Sequence, residues 1–427
     1  MAETATLAEW LAYLETLHPK TISLGLERVA QVRQRLQLLA DFPLMVVGGT
    51  NGKGSVCAML EAMLHAAGYR VGCYTSPHLL NYNERVRISK QQASDAELCD
   101  AFAAIEVARQ QDSVIPLTYF EFGTLAAMQL FRSHKVEVAI LEVGLGGRLD
   151  AVNVFDSDCA VVTSVDIDHT DYLGDTREQI GFEKAGIFRS GKVAICADLQ
   201  VPQSLREYAL SINSQLWCIG REFGYASQQG QWDYRSIMGS RNSMPIPALR
   251  GAFQLNNASA ALAALDALKS ILPVSMAAVR RGLVEVQLAG RFQLVPGRPE
   301  LVLDVAHNPH AARSLAKNLA SMPPCPHTYA VFAMLSDKDR AAVATALDAN
   351  IDSWLLAGID APRGATALDL AEVLRAAGVK GAIKTYLTVA DALRYAYEAA
   401  GENDRIVVFG SFYTVAEAMV AVPVKFS

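Results

Sequence analysis

Residues 45–55, Met-Val-Val-Gly-Gly-Thr-Asn-Gly-Lys-Gly-Ser, constrain this chain more than any other stretch. An apolar run, Met45 to Val47, breaks at Gly48 and Gly49. Val56, Met59, Leu60, Met63, Leu64 and Ala67 then recur at helical spacing up to Gly68, a residue suited to end a helix. The pattern predicts strand, glycine-rich loop and helix in succession. Glycines let backbone N–H groups converge on one point, the helix N-terminus adds positive potential there, and Lys53 adds a full charge. Such a loop holds the phosphates of ATP or GTP. It departs from Walker A, because Val47 and Gly54 occupy the places of the first glycine and of the hydroxyl residue after the lysine, and the hydroxyl comes one residue late at Ser55. A plain glycine-rich turn does not call for a lysine between two glycines at a strand mouth. No Asn-Lys-x-Asp run is present to read guanine, which disfavours a GTP switch.

The rest of the chain alternates strand with helix. Apolar strand candidates lie at 44–48, 69–75, 136–142, 159–165 and 193–197, and helical patterns at about 26–40, 54–68, 95–110, 119–133 and 176–188. Uniformly apolar strands between helices predict an α/β fold with a parallel sheet covered on both faces. Residues 213–250 differ: aromatic residues interleaved with Gly, Ser and Gln predict a small antiparallel patch. Helices at 256–271 and 275–284 follow. Gly290 to Pro299 is rich in turn residues and marks the boundary between a first domain, 1–292, and a smaller α/β domain, 297–427. There the alternation restarts, with strands expected at 301–305, 328–334, 353–358, 382–387 and 404–410. In open α/β sheets ligands bind beyond the carboxyl ends of strands, so the polar residues at those ends are the ones to weigh.

Thr75-Ser76-Pro77-His78-Leu79 reads equally as a turn and as a functional loop. Glu142 ends a strand in Leu-Glu-Val-Gly-Leu-Gly-Gly-Arg-Leu-Asp-Ala, 141–151, among apolar and glycine neighbours. A phosphate-loop enzyme places its magnesium-side carboxylate there, since magnesium takes few protein ligands and completes its shell with water and phosphate. Asp166-Ile167-Asp168-His169 follows another strand; an isolated histidine is more often structural, but a strand end in an ATP-binding chain favours function. Asp175 with Glu178 reads as a capping box opening a helix on which Ile180, Lys184, Ile187 and Phe188 share a face. A lysine there either snorkels to solvent or is a functional or modified amine. Asp304-Val305-Ala306-His307-Asn308-Pro309 follows the first strand of the second domain. Arg291 sits at the boundary, where an arginine is more often structural than phosphate-binding.

Together, Gly49 to Ser55, Thr75 to Leu79, Leu141 to Arg148, Asp166 to His169, Phe182-Glu-Lys-Ala-Gly186 and Asp304 to Pro309 resemble the Mur ligase superfamily. Within it they are most similar to the folate branch, the bacterial bifunctional dihydrofolate synthase/folylpolyglutamate synthases. The runs occur in that family's order and span both domains. The resemblance implies a central ATPase domain with a parallel sheet and a smaller Rossmann-like C-terminal domain. It implies that Gly49, Thr50, Asn51, Gly52, Lys53, Gly54 and Ser55 hold ATP, with Asn257, Arg291, Asp304 and His307 as further ATP contacts. It implies Mg2+ on Ser76, Glu142 and His169, a carbamylated Lys184, and a monovalent cation. Lys53, Lys184, His169 and His307 are the implied catalytic residues. Thr21, Gly25, Leu26 and Arg28, in a loop like the one that closes over dihydropteroate, together with Asp150 and Ala151, are implied folate contacts. Phe120 reads equally as a pterin-stacking ring and as ordinary helix packing.

The reaction so implied moves the γ-phosphoryl of ATP onto the carboxylate of 7,8-dihydropteroate, or onto the γ-carboxylate of a reduced folate. The amine of L-glutamate then attacks the acyl phosphate, with domain closure keeping water away. A synthase acting on folates only, or a regulatory ATPase without ligase activity, remains as the alternative. A cell-wall Mur ligase would carry a UDP-sugar domain ahead of the loop, and 48 residues before Gly49 are too few for one. The net charge of −6 does not favour nucleic acid. The seven cysteines form no C-x-x-C pair and read as reduced core residues, and eight scattered histidines make no metal tract. No uncharged apolar run reaches the ~18 residues of a membrane span. The expectation is a cytoplasmic monomer with no membrane partner.

Overall fold

The computed structural model describes residues 5–20, 22–228, 230–361 and 363–422. The chain divides into two compact units, one running to Ala248 and including Leu255–Val286, the other comprising Leu249–Gln254 and the residues from Gln287 on.

The first unit is built on an eight-stranded sheet. Six strands are parallel, in the spatial order Val71–Tyr74, Val138–Glu142, Leu44–Gly48, Cys159–Val162, Val193–Cys196 and Gln215–Cys218. All five residues of Leu44–Gly48 and of Val138–Glu142 are buried, as expected of strands covered on both faces. Two short antiparallel strands, Val86–Ile88 and Gln91–Gln92, finish one edge and were not legible in the apolar pattern because they are short and half-exposed. Gln215–Cys218 also corrects the expectation for 213–250: it joins the parallel sheet, and only Phe223–Gln228, Gln231–Ser236 and Gly239–Pro245 form the antiparallel patch.

Local chemistry sets the helix ends. The helix Glu27–Arg35 stops well before 40, because Gln37 adopts a left-handed φ of 50°. The helix Leu7–Thr16, absent from the sequence reading, is opened by a Thr6–Glu9 capping box and buries Leu7, Trp10 and Leu14. The capping box ahead of Lys184 is Thr176 with Gln179, not Asp175 with Glu178; Thr176 Oγ1 accepts from Gln179 N at 3.3 Å.

The second unit carries a six-stranded sheet in the order Gln293–Val295, Glu300–Leu303, Arg405–Phe409, Thr328–Phe332, Ser353–Ala357, Ala382–Tyr386, parallel except for the first strand. The turn-rich crossing at 290–299 therefore contains an edge strand. Phe332, Trp354 and Phe409 pack edge-on and tilted at 5.0–6.0 Å in its core. All seven cysteines are free, five of them buried.

Candidate active site

The phosphate loop leaves the central strand Leu44–Gly48, which is flanked by Val138–Glu142 on one side and Cys159–Val162 on the other. Parallel strands end on the same edge, so the loop, Glu142 and the 163–169 segment meet there as a consequence of strand order. Side-chain and backbone bonds tie the loop to that segment. Thr50 N donates to Ser164 O at 2.8 Å, Asn51 N to Ser164 Oγ at 3.0 Å, Asp166 N to Thr50 Oγ1 at 3.0 Å, and Thr163 Oγ1 to Asn51 O at 2.6 Å. Gly52, with φ of 89°, precedes the helix Lys53–Ala66, whose first turn includes Gly54 and Ser55. A Cβ on Gly52 would lie 2.6 Å from Asn257 Oδ1, so only glycine lets the loop pass this close to Asn257. Lys53 Nζ folds back to Gly49 O at 3.1 Å and Thr50 O at 3.3 Å.

Ser76 and Glu142 are brought together: Ser76 N donates to Glu142 Oε2 at 3.2 Å, and Glu142 is 4% exposed. His169 stands at the head of the short helix Thr170–Leu173 in a left-handed conformation, its Nε2 4.0 Å from Asp168 Oδ1. Among the described residues no three His, Cys, Asp or Glu side chains converge into a metal cage. The pairing of one carboxylate with one hydroxyl residue suits a cation that keeps most of its shell for water and phosphate.

Lys184 is 3% exposed, which rules out snorkelling. Burial, and secondarily the Lys53 charge, pull its amine down to about 7, against the opposing carboxylates of Asp168 and Asp150. Asp150 accepts from Leu145 N at 2.8 Å and Val152 N at 3.1 Å and heads the turn Ala151–Val154. Burial pushes Asp150 up to about 7, opposed by those N–H groups and by Lys53.

The residues expected to meet a folate gather within the same unit, except Thr21, which lies outside the described residues. Gly25 N donates to Leu149 O at 3.3 Å. Leu26 precedes the helix Glu27–Arg35, and Arg28 pairs with Glu121 at 2.9 Å while donating to Ser23 O at 2.6 Å. Phe120 lies over Gly144: a Cβ there would be 2.7 Å from the ring, and the Tyr74 ring is 5.8 Å away. Phe120 is thus placed by close packing beside the 144–151 turn that carries Asp150. Sequence reading missed Thr118 and Glu121, although Thr-x-x-Glu is a visible capping signature. It also missed Arg85, which no motif marks; its Nε donates to His78 Nδ1 at 2.8 Å. Burial and the Arg85 charge lower the His78 imidazole to about 4.

In the second unit Asp304 follows Glu300–Leu303 and accepts from Phe292 N at 2.9 Å and Ala306 N at 2.8 Å. Burial raises it to about 6, with Arg291 opposing. His307 Nδ1 meets Val305 O at 2.8 Å. The rings of His307 and Phe412 are 6.1 Å apart, and the Arg291 guanidinium lies 5.2 Å over Phe412. Arg291, Asp304 and His307 therefore converge around Phe412, a residue the strand-end rule could have found, since it follows Arg405–Phe409.

A phosphate loop alone fits many ATPases. The carboxylate strand beside it, the buried amine of Lys184 and a separate α/β unit with its own Asp–His strand end define the class as ATP-dependent ligases. Two family models match the chain: the Mur ligase middle domain over residues 47–265, and the Mur ligase glutamate ligase domain over 290–412. The chain is 46% identical over 414 residues to the dihydrofolate synthase/folylpolyglutamate synthase of Escherichia coli K12, covering 97% of this chain and 94% of that one. It superposes with a TM-score of 0.92 on E. coli FolC in complex with DHPP and ADP, at 46% identity over 98% of this chain and 97% of that one. A bifunctional folylpolyglutamate synthase/dihydrofolate synthase with Mn, AMPPNP and L-glutamate bound gives 0.90 at 48% identity, over 98% of each chain. The chain belongs to the Mur ligase family and, within it, to the dihydrofolate synthase/folylpolyglutamate synthases. Among the described residues no helix is long and apolar enough to cross a membrane.

Proposed function

We propose that the protein joins L-glutamate to 7,8-dihydropteroate, forming dihydrofolate, and to the γ-carboxyl of reduced folates, forming polyglutamates, with ATP as co-substrate. One observation carries this reading. The 22–28 loop is tied to Leu149 and, through Arg28, to Glu121, which sets Phe120 and the buried acid Asp150 into one site coupled electrostatically to Lys53 of the phosphate loop. An aromatic ring beside a buried carboxyl suits a flat heterocycle with N–H donors. The relatives solved with DHPP and ADP, and with Mn, AMPPNP and L-glutamate, support the same substrates.

A carboxylate is a poor electrophile, so it is first phosphorylated. Gly49 to Ser55 cradle the phosphates through their N–H groups, and Lys53 leaves its loop carbonyls to take charge on the β- and γ-phosphates. Asn257 lies against the loop at Gly52, and Arg291, Asp304 and His307 are assigned to ATP as well. Ser76, Glu142 and His169 are assigned to Mg2+, which supplies Lewis-acid polarisation of the transferring phosphoryl when bound. Lys184 is proposed to be carbamylated: an amine near 7 is neutral enough to add CO2, and the resulting anion would relieve its repulsion from Lys53. Attack by the glutamate amine on the acyl phosphate forms the amide and releases phosphate. Gly25, Leu26, Arg28, Phe120, Asp150 and Ala151 hold the acceptor. A monovalent cation, a monomeric state, the domain limits 1–292 and 297–427, and a cytoplasmic location complete the proposal.

The test is ADP release with MgATP and glutamate, with dihydropteroate or tetrahydrofolate added. Stimulation by both supports the bifunctional reading. Stimulation by the folate alone reduces it to polyglutamylation, and release indifferent to either leaves an ATPase.

A further inference from the structure

Arg85 carries a guanidinium that the mechanism above does not use. It lies half-buried at the end of the short helix Tyr82–Arg85. Its Nε–H donates to His78 Nδ1 at 2.8 Å, and its guanidinium carbon stands 5.2 Å from the Tyr82 ring centre and 5.4 Å from that of Tyr119. One hydrogen bond and two aromatic faces fix the plane of the fork. Because His78 Nδ1 accepts this bond, the ring's own proton sits on Nε2, a second donor beside the first.

The acids around it are already engaged. Glu84 accepts from the N–H groups of Leu79, Leu80 and Asn81 at 2.7–2.8 Å, Glu61 pairs with Arg87 at 2.9 Å, and Glu121 with Arg28 at 2.9 Å. Among the described residues Arg85 has no carboxylate partner, and its η nitrogens donate to no protein acceptor. A rigid, partly desolvated guanidinium without counter-charge is costly, and an anion would complete it.

Its position says which anion. His78 lies two residues beyond Ser76, and Tyr119 immediately precedes Phe120. Arg85 touches both, and so connects the Ser76–Glu142 end of the site, where the reacting carboxylate is activated, with the aromatic end at Phe120. A folate that reacts through its γ-carboxylate carries a second, spectator carboxylate on the same glutamate; dihydropteroate has none. We propose that Arg85, with the Nε2–H of His78, is the subsite for that spectator α-carboxylate, and so selects folates for polyglutamylation. The assignment rests on the two-acceptor ligase reading.

The test compares R85Q and R85K with the wild type at saturating MgATP and glutamate, with tetrahydrofolate and dihydropteroate as alternative acceptors. In R85Q the ratio of kcat/KM for tetrahydrofolate to that for dihydropteroate should fall about tenfold or more, chiefly through KM. R85K should lie between, keeping the charge but losing the fork. Melting temperature and ADP affinity check that the variants are folded. An unchanged ratio in a variant with normal ADP affinity overturns the proposal, and so does an equal loss on both acceptors, which would make Arg85 part of the scaffold. If the wild type uses neither acceptor, the ligase reading fails first and the subsite fails with it, a result obtained before any variant is made.

Discussion

Two buried ionisable side chains, Lys184 and Asp150, give this protein opposite pH responses. The Lys184 amine titrates at about 7 instead of 10.5. Between those values the unfolded chain holds the extra proton, so its contribution is full above the unfolded value and is lost as pH falls towards the folded one. Asp150 is raised from 3.8 to about 7, so the folded chain holds the extra proton, and its contribution is full at low pH and lost as pH rises through about 7. Urea unfolding of Lys184→Met in bicarbonate-free buffer should lose much of the stability gain between about pH 7 and 10; a slope identical to wild type would refute the assignment of that gain to Lys184. Asp150→Asn should flatten the fall between about pH 4 and 7. Lys53→Ala should lower kcat/KM for ligation on the order of a hundredfold, since it removes the full charge aimed at the phosphates. Steady-state assays with either acceptor check this.

Elements position these side chains through their ends. The helix Tyr119–Ser133 is opened by Thr118 and Glu121, with Glu121 N donating to Thr118 Oγ1 at 3.2 Å and Thr118 N to Glu121 Oε2 at 2.7 Å. The same carboxylate holds Arg28. Thr118→Ala should cost about 1 kcal/mol in chemical denaturation, and no change in the midpoint would show that the cap is redundant. The turn after Val138–Glu142 works by exclusion, because Phe120 occupies the space where a side chain at residue 144 would stand. Gly144→Ala should therefore shift the ring and raise the KM for dihydropteroate several-fold, roughly the worth of one displaced aromatic contact, while leaving the KM for ATP nearly unchanged. An ATP defect of equal size would mean that the turn serves the phosphate loop instead.

At the scale of the molecule, each unit has its own sheet and core. A fragment from Gln287 to the C-terminus should unfold cooperatively on its own, because Phe332, Trp354, Phe409 and their neighbours form a core without residues of the other sheet; a gradual, non-cooperative melt would show that the core is not self-sufficient. The strand–loop–helix of the phosphate loop, the parallel strands and the Mur ligase runs were legible because each depends on local order: apolar periodicity, glycine placement and short motifs. The edge strands at 86–92 and 293–295 were not, since a short half-exposed strand has no periodicity and exists only where a sheet offers an edge. Sequence placed Lys184 on an apolar face but left snorkelling open, and only packing closed it, by leaving no path to solvent. Arg28 with Glu121, Asp150 with Lys53 and Arg85 with His78 and Tyr119 are pairs far apart in the chain, or without a motif, so their chemistry was decided by tertiary structure. The sequence by itself determined the nucleotide loop and the family; the fold decided which charges are neutralised by neighbours and which are left to meet a ligand.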